Sequence, residues 1–221
     1  MQNSTNSFRI KIEEQLRKFP NVRTMHIQKG ERILKQEKNA VGIYYILSGR
    51  VKVVLLSSKG NERILSMHEA GEFIGEASYF GKKSQIASSY ADEDSVVLEI
   101  DRASYMSIVA HYPEISMLII EGMADKIDLM VEQIEQSTFF EAKERLARTL
   151  LMLMYRFGRP TEAGIKIDRS ITDAELGKFV GVRREVASRL MLKFRQMGLL
   201  RKENSYIYIL DQQALEALSG I

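Results

Sequence analysis

"TDAELGKFVGVRREVASRLMLKFRQMGLL", residues 172–200, carries most of what the chain says about itself. Thr172-Asp-Ala-Glu175 has the spacing of a capping box, in which the threonine hydroxyl and the glutamate carboxylate each satisfy a free backbone N–H at a helix start. A first helix is therefore expected from Thr172 through Leu176 and Phe179 to Gly181, the residue best able to take the positive φ of a tight turn. A second is expected from about Arg183. On it Val186, Leu190, Phe194 and Met197 recur at helical spacing and should face the core. Arg184, Glu185, Ser188 and Arg189 share the opposite face near the helix start, because neighbours three and four apart lie side by side.

Two short helices joined by a glycine turn, with polar side chains leading the second, make a helix-turn-helix. The first residues of its second helix meet base edges in the major groove. The residue types suit base reading, since arginine donates two hydrogen bonds to guanine O6 and N7, and glutamate accepts from cytosine N4. Arg183, Lys193, Arg201 and Lys202 suit phosphates, which hold a protein on DNA without specifying sequence. Glu185 and Arg189 could instead be an i, i+4 pair on a solvated face, a contribution of about 0.3 kcal/mol. The cap, the turn glycine, the apolar rear face and a following hairpin together favour DNA. Charge distribution agrees. Residues 183–202 hold seven basic side chains against one acid, so this window carries +6 of a chain whose formal net charge is +3, and the remainder carries −3.

On the C-terminal side, "LLRKENSYIYIL" (199–210) reads as a hairpin turning near Asn204 and Ser205. On the other side, "GIKID" (164–168) reads as a short strand, and Phe139–Phe157 as a helix ended by Gly158 and Pro160. Further upstream, Ile120, Met123, Ile127, Met130 and Ile134 alternate spacings of three and four behind Pro113, the seam of about two heptads. Ile115, Leu118, Ile119 and Leu129 form a second apolar row, so this helix is expected to bury one face against its own domain and the other against a second copy of the chain. From about Met25 to Ile100, "GIYYIL", "VKVVLL", "RILSMH" and "SVVLEI" are short β-branched and aromatic runs separated by turn residues, which indicates an antiparallel all-β unit closed as a roll or sandwich.

The 221 residues, 45% of them hydrophobic, suit two domains better than one. The absence of cysteine excludes disulfides, thiolate zinc sites and cysteine-ligated iron–sulfur clusters. The N-terminal "MQNSTNSFRIKIEEQL" lacks a signal-peptide core and no run reaches the roughly 20 apolar residues of a membrane span, so a cytoplasmic location and no membrane partner are expected. No Ser-His-Asp grouping, metal-ligand spacing or phosphate loop points to an enzyme.

In the order roll, long helix, helix-turn-helix with hairpin, the chain resembles the CRP/FNR superfamily of bacterial transcription regulators along nearly its whole length. "YYILSGRVKVVLLSSKGNERILSMHEAGEFIGE" (44–76) resembles the family's cyclic-nucleotide-binding-type roll, and "LGKFVGVRREVASR" (176–189) its recognition motif. The resemblance implies an α+β chain with an N-terminal effector-sensing β-roll over 1–112, a dimerisation helix over 113–138 and a C-terminal winged helix-turn-helix over 139–221. It also implies a homodimer on double-stranded DNA with a near-palindromic operator, and RNA polymerase as a further partner.

Departures from the family pattern bear on the effector. After the Gly-Glu pair matching Gly75-Glu76, cyclic-AMP-binding members carry Arg-Ser or Arg-Thr against the cyclic phosphate. Here "FGKKSQIASSYA" places Gln85-Ile86 there, with Lys82 and Lys83 in the loop before it. The hydroxyls that the family sets against adenine fall on Met130 and Val131. A site near Gly75, Glu76, Gln85, Met130 and Val131 is thus expected to reject cyclic AMP and to suit a small apolar or aromatic molecule, or no effector. His26, His68 and His111, the candidate haem ligands, lack a partner motif, and no cofactor is expected. The family often has Ser or Thr where Arg183 stands as helix N-cap, so a cap worth about 1 kcal/mol is exchanged for a phosphate contact. The alternative to a DNA regulator is a ligand-binding regulatory module whose C-terminal helices bind protein.

Overall fold

A computed structural model describes residues 11–39, 42–81 and 84–220. The chain divides into two compact units, Met1–Met130 and Val131–Ile221.

The first unit opens with helical residues 11–17 (α1). Strands β1 (Arg23–Ile27), β2 (Arg32–Leu34), β3 (Gly42–Ser48), β4 (Arg50–Leu56), β5 (Glu62–Glu69) and β6 (Phe73–Ile74) precede a one-turn helix α2 (Glu76–Phe80), then β7 (Ser88–Ala91) and β8 (Ser95–Asp101). These make two four-stranded antiparallel sheets, ordered β1-β8-β3-β6 and β2-β7-β4-β5. Helices α3 (Arg102–His111) and α4 (Pro113–Phe139) follow.

Side chains alternate across a strand, and in β3 both faces are covered. Tyr44 and Ile46 join Leu34, Val51, Ile74 and Val97 between the sheets. Ile43 and Tyr45 join Leu98 and Ile100 on the outer side of the first sheet, under Ile12 and Leu16 of α1, Ile108 of α3 and Ile115 and Ile119 of α4. A strand buried on both faces reads as a continuous apolar run, which is why "GIYYIL" is legible as a strand without alternation. The roll expected from the sequence is present; α2, a single turn with no apolar period, has no signature there.

Within the second unit, α5 (Ala142–Phe157) leads to β9 (Gly158–Thr161), β10 (Gly164–Ile167), α6 (Asp173–Val180), α7 (Arg184–Gln196), β11 (Leu200–Glu203), β12 (Tyr206–Ile209) and α8 (Gln212–Leu218). The sheet is ordered β11-β12-β10-β9, and Ile167, Ile207 and Ile209 on its inner face pack with Leu146, Leu150 and Leu153 of α5 and Phe194 of α7. The hairpin turns at Asn204 and Ser205, both at positive φ (46° and 68°), as expected.

The helix expected over Phe139–Phe157 ends at Phe157 with Gly158 as its cap, but its start and the place of Pro160 differ from the sequence reading. Phe139 ends α4 and does not begin the next helix. The start of α5 is fixed by a capping box between Glu141 and Glu144. Pro160 sits inside β9, an edge strand, where its missing N–H costs no ladder bond. Among the described residues no helix is long and apolar enough to cross a membrane.

Candidate nucleic-acid interface and sensor site

Helix α6 starts where the sequence places it: Thr172 Oγ1 accepts from the Glu175 amide at 3.1 Å. Glu175 does not complete the box with its carboxylate, which is paired with the buried Arg169 beneath it. At the other end Gly181 takes φ 73°, the left-handed conformation that lets the chain reverse into α7. Gly177 contributes a close approach that spacing does not reveal. A Cβ there would lie 2.8 Å from the Val182 carbonyl oxygen, so a side chain would push the two helices apart.

Helix α7 starts without a side-chain cap, Arg183 occupying the N-cap position. Arg183, Arg184, Glu185, Ser188, Arg189 and Lys193 are all exposed. Among the described residues Glu185 and Arg189 make no ion pair with each other, so the i, i+4 spacing does not tie them up. The core face is rotated from the expected one. Ala187, Met191 and Phe194 are buried with Leu190 packed beside them, whereas Met197 is 56% exposed. The reason is that Met197 caps α7 just before Gly198 at positive φ, and the core position expected for it is taken by Leu199.

A cleft of about 620 Å³ runs beside the exposed face of α7, lined in part by Asp173, Arg184, Ser188, Arg189, Arg195 and Lys202. Lys202 Nζ is 2.6 Å from Asp173 Oδ1, so this lysine, expected on phosphate, is held by a carboxylate. Nothing in the sequence singles out Asp173 beyond its place inside the capping box. Burial pushes the Asp173 carboxyl up, but hydrogen bonds from Lys202 and Ser188 and the charges of Lys202 and Arg184 outweigh that and hold it below the ordinary aspartate range.

In the first unit the residues expected at an effector site do not behave alike. Glu76 is 2% exposed at the start of α2, directly after Gly75 at φ 88°. Its Oε1 accepts from Lys126 Nζ of α4 at 2.7 Å, and the same ammonium donates to the Phe73 carbonyl at 2.7 Å. Sequence reasoning misses Lys126, because one lysine in an apolar helix reads as a solvated position. Among the described residues Glu76 Oε2 has no hydrogen-bond partner, nor has the side-chain nitrogen of Gln85, which is 5% exposed. Met130 and Val131 are 51% and 60% exposed on α4, with Ile120 at 56%, Ile127 at 58% and Ile134 at 64%. Met123, expected in that seam, is partly buried against the core of the first unit instead, being turned toward the Ile119 side of the helix. Lys82 and Lys83 lie outside the described residues.

Of the histidines, His68 is buried with both ring nitrogens engaged, by Ser66 Oγ at 2.8 Å and Glu72 Oε2 at 2.7 Å. His111 is bonded to the Ser107 carbonyl at 2.8 Å. Among the described residues no group of three or more His, Cys, Asp and Glu side chains could hold a metal ion.

Comparison with known proteins meets this geometry from both ends. Residues 24–112 match the cyclic nucleotide-binding domain and residues 144–218 the Crp-like helix-turn-helix domain. Electron transport regulator A of Shewanella oneidensis is 31% identical over 88% of this chain and 77% of its own. A CRP-like cAMP-activated global transcriptional regulator of Mycobacterium tuberculosis is 25% identical over 85% of this chain and 84% of its own. Among solved structures a CooA mutant from Carboxydothermus hydrogenoformans superposes with TM-score 0.77 at 25% identity, covering 90% of this chain and 88% of that one. With a cyclic-nucleotide-binding-type roll, a long helix and an exposed, basic helix-turn-helix in one order, the chain belongs to the CRP/FNR family of transcription regulators.

Proposed function

We propose that the protein is a cytoplasmic homodimer that regulates transcription by binding a near-palindromic operator through paired α7 helices, with residues 1–112 sensing, 113–138 dimerising and 139–221 gripping DNA. The observation that carries this reading is the single exposed patch of Arg184, Glu185, Ser188 and Arg189 on the first two turns of α7, backed by a fully buried Phe194. Such a patch offers two arginines for guanine and one carboxylate for cytosine within the reach of one major groove. Arg183 and Lys193, exposed on either side of it along the helix, supply sequence-independent attraction to phosphate. RNA polymerase is the partner that transcription control requires.

Dimerisation is assigned to α4. Ile120, Ile127, Met130, Val131 and Ile134 leave a row of large apolar side chains more than half exposed in the protomer. A second copy of the same helix buries such a row in a two-stranded seam. An effector acts on this arrangement by binding one disposition of the paired helices better than another, which shifts the spacing of the two recognition helices.

The effector is not cyclic AMP in this reading. Gln85 offers an uncharged amide where a phosphate needs a cation, and Glu76 already has Lys126 as its partner. Two buried polar atoms without partners, Glu76 Oε2 and the Gln85 side-chain nitrogen, favour an uncharged molecule with at least one hydrogen-bond donor and one acceptor over the wholly apolar one that the sequence suggests. The test is retention on DNA. Binding to a duplex that weakens steeply between about 50 and 200 mM salt supports the regulator; a protein that ignores DNA and captures a protein partner supports the ligand-binding module.

A further inference from the structure

We propose that Asp173 sets the operator specificity of the DNA-binding unit, by withholding Lys202 from phosphate and by holding Ser188 and Arg184 in place for base contact. This rests on the reading of α7 as the recognition helix. Asp173 is the first residue of α6, and its carboxylate gathers groups from two other elements. Lys202 reaches it from β11 at 2.6 Å, and Ser188 and Arg184 of α7 line the same cleft, where their side chains help to hold its carboxyl below the ordinary aspartate range. The side chains of Lys202 and Asp173 are 18% and 26% exposed, so the pair is screened less than a surface ion pair.

The consequence follows from what each group does in isolation. A free lysine at the rim of a recognition helix adds a phosphate contact, which strengthens binding to every sequence alike. Neutralised by Asp173, it adds none. Meanwhile the carboxylate's negative charge in the cleft shared with Ser188 and Arg184 favours one placement of those side chains before DNA arrives, so less side-chain freedom is lost when they meet bases. Every duplex forgoes that one contact, but only the operator gains from the settled Ser188 and Arg184, so the operator-to-unrelated ratio rises. Asp173 is thus a positioning residue, acting through three others without needing to touch a base.

The experiment measures dissociation constants of the full-length protein for its selected operator and for an unrelated duplex of equal length, between about 50 and 200 mM salt. In Asp173→Asn the salt slope on the unrelated duplex should steepen by about 0.9 per protomer, which is about 3.5-fold more affinity lost over that range for each added contact. The operator-to-unrelated ratio should fall. Glu162→Gln, the same charge change in the β9–β10 turn, should leave both unchanged. Lys202→Met should leave the wild-type slope unaltered and should cancel the steepening when combined with Asp173→Asn. A Lys202→Met protein with a shallower slope would show the lysine already on phosphate and overturn the proposal, even if Asp173→Asn failed to fold. So would an Asp173→Asn protein with an unchanged slope and ratio. A wild-type protein with no preference for any duplex would defeat the recognition-helix reading itself, and this inference with it.

Discussion

Lys126 and Glu76 form an ion pair at 2.7 Å between α4 and the start of α2, with the carboxylate almost wholly buried and the lysine partly exposed. The contact ties the helix assigned to dimerisation to the segment around Gly75 that is assigned to sensing. A buried carboxylate deprived of its cation is expensive, because desolvation is then no longer offset.

Replacing Lys126 by Met should therefore destabilise the first unit by about 3 kcal/mol, and adding Glu76→Gln should recover much of that loss. Urea denaturation of the two variants measures it. Equal stability of Lys126→Met and wild type would mean that water, not the lysine, solvates Glu76.

Dimerisation through α4 predicts that Ile127→Glu gives a folded monomer. Ile127 is 58% exposed in the protomer, so the charge is tolerated there and excluded only at a contact of two chains, where its burial costs several kcal/mol, on the order of 2–7. Sedimentation velocity with a parallel thermal melt separates the cases. An unchanged dimer would assign the interface elsewhere, and a collapsed melting temperature would place Ile127 in the protomer core.

Cyclic AMP at physiological concentration should produce no calorimetric signal and no change in DNA affinity. A phosphate set against Gln85-Ile86 forgoes charge-assisted hydrogen bonds worth roughly 1.5–3 kcal/mol each. A micromolar site would contradict this and direct attention to Lys82 and Lys83.

What the sequence discloses and what it conceals divide along physical lines. Helix ends marked by Thr172 and Gly181 are legible because capping is local chemistry, and the strands of the roll are legible because their residues are buried on one face or both. Asp173, Lys126 and Gly177 are not. Each acts across a long separation in sequence or through a close backbone approach, and neither leaves a periodic trace. Met197 misleads because the helical period runs one residue past the helix, where Gly198 turns the chain. Arg169 is hidden for a related reason: a buried arginine under a helix start shows only once Glu175 is seen beside it.

The whole functional assignment depends on Arg184, Glu185, Ser188 and Arg189 reading bases from the exposed face of α7. Selection from a random duplex library by wild type and by Arg184→Val, with Lys193→Ala as the phosphate control, puts that dependence to the test. Wild type should select two inverted half-sites about one helical turn, roughly 34 Å, apart. Arg184→Val should relax one symmetric base pair by about 1–3 kcal/mol and leave the pairs read by Glu185 and Arg189 intact, whereas Lys193→Ala should weaken all sequences alike and lower the salt slope by about one. An Arg184→Val protein that selects the same operator and merely binds every sequence more weakly would put Arg184 on phosphate and contradict base reading by this helix.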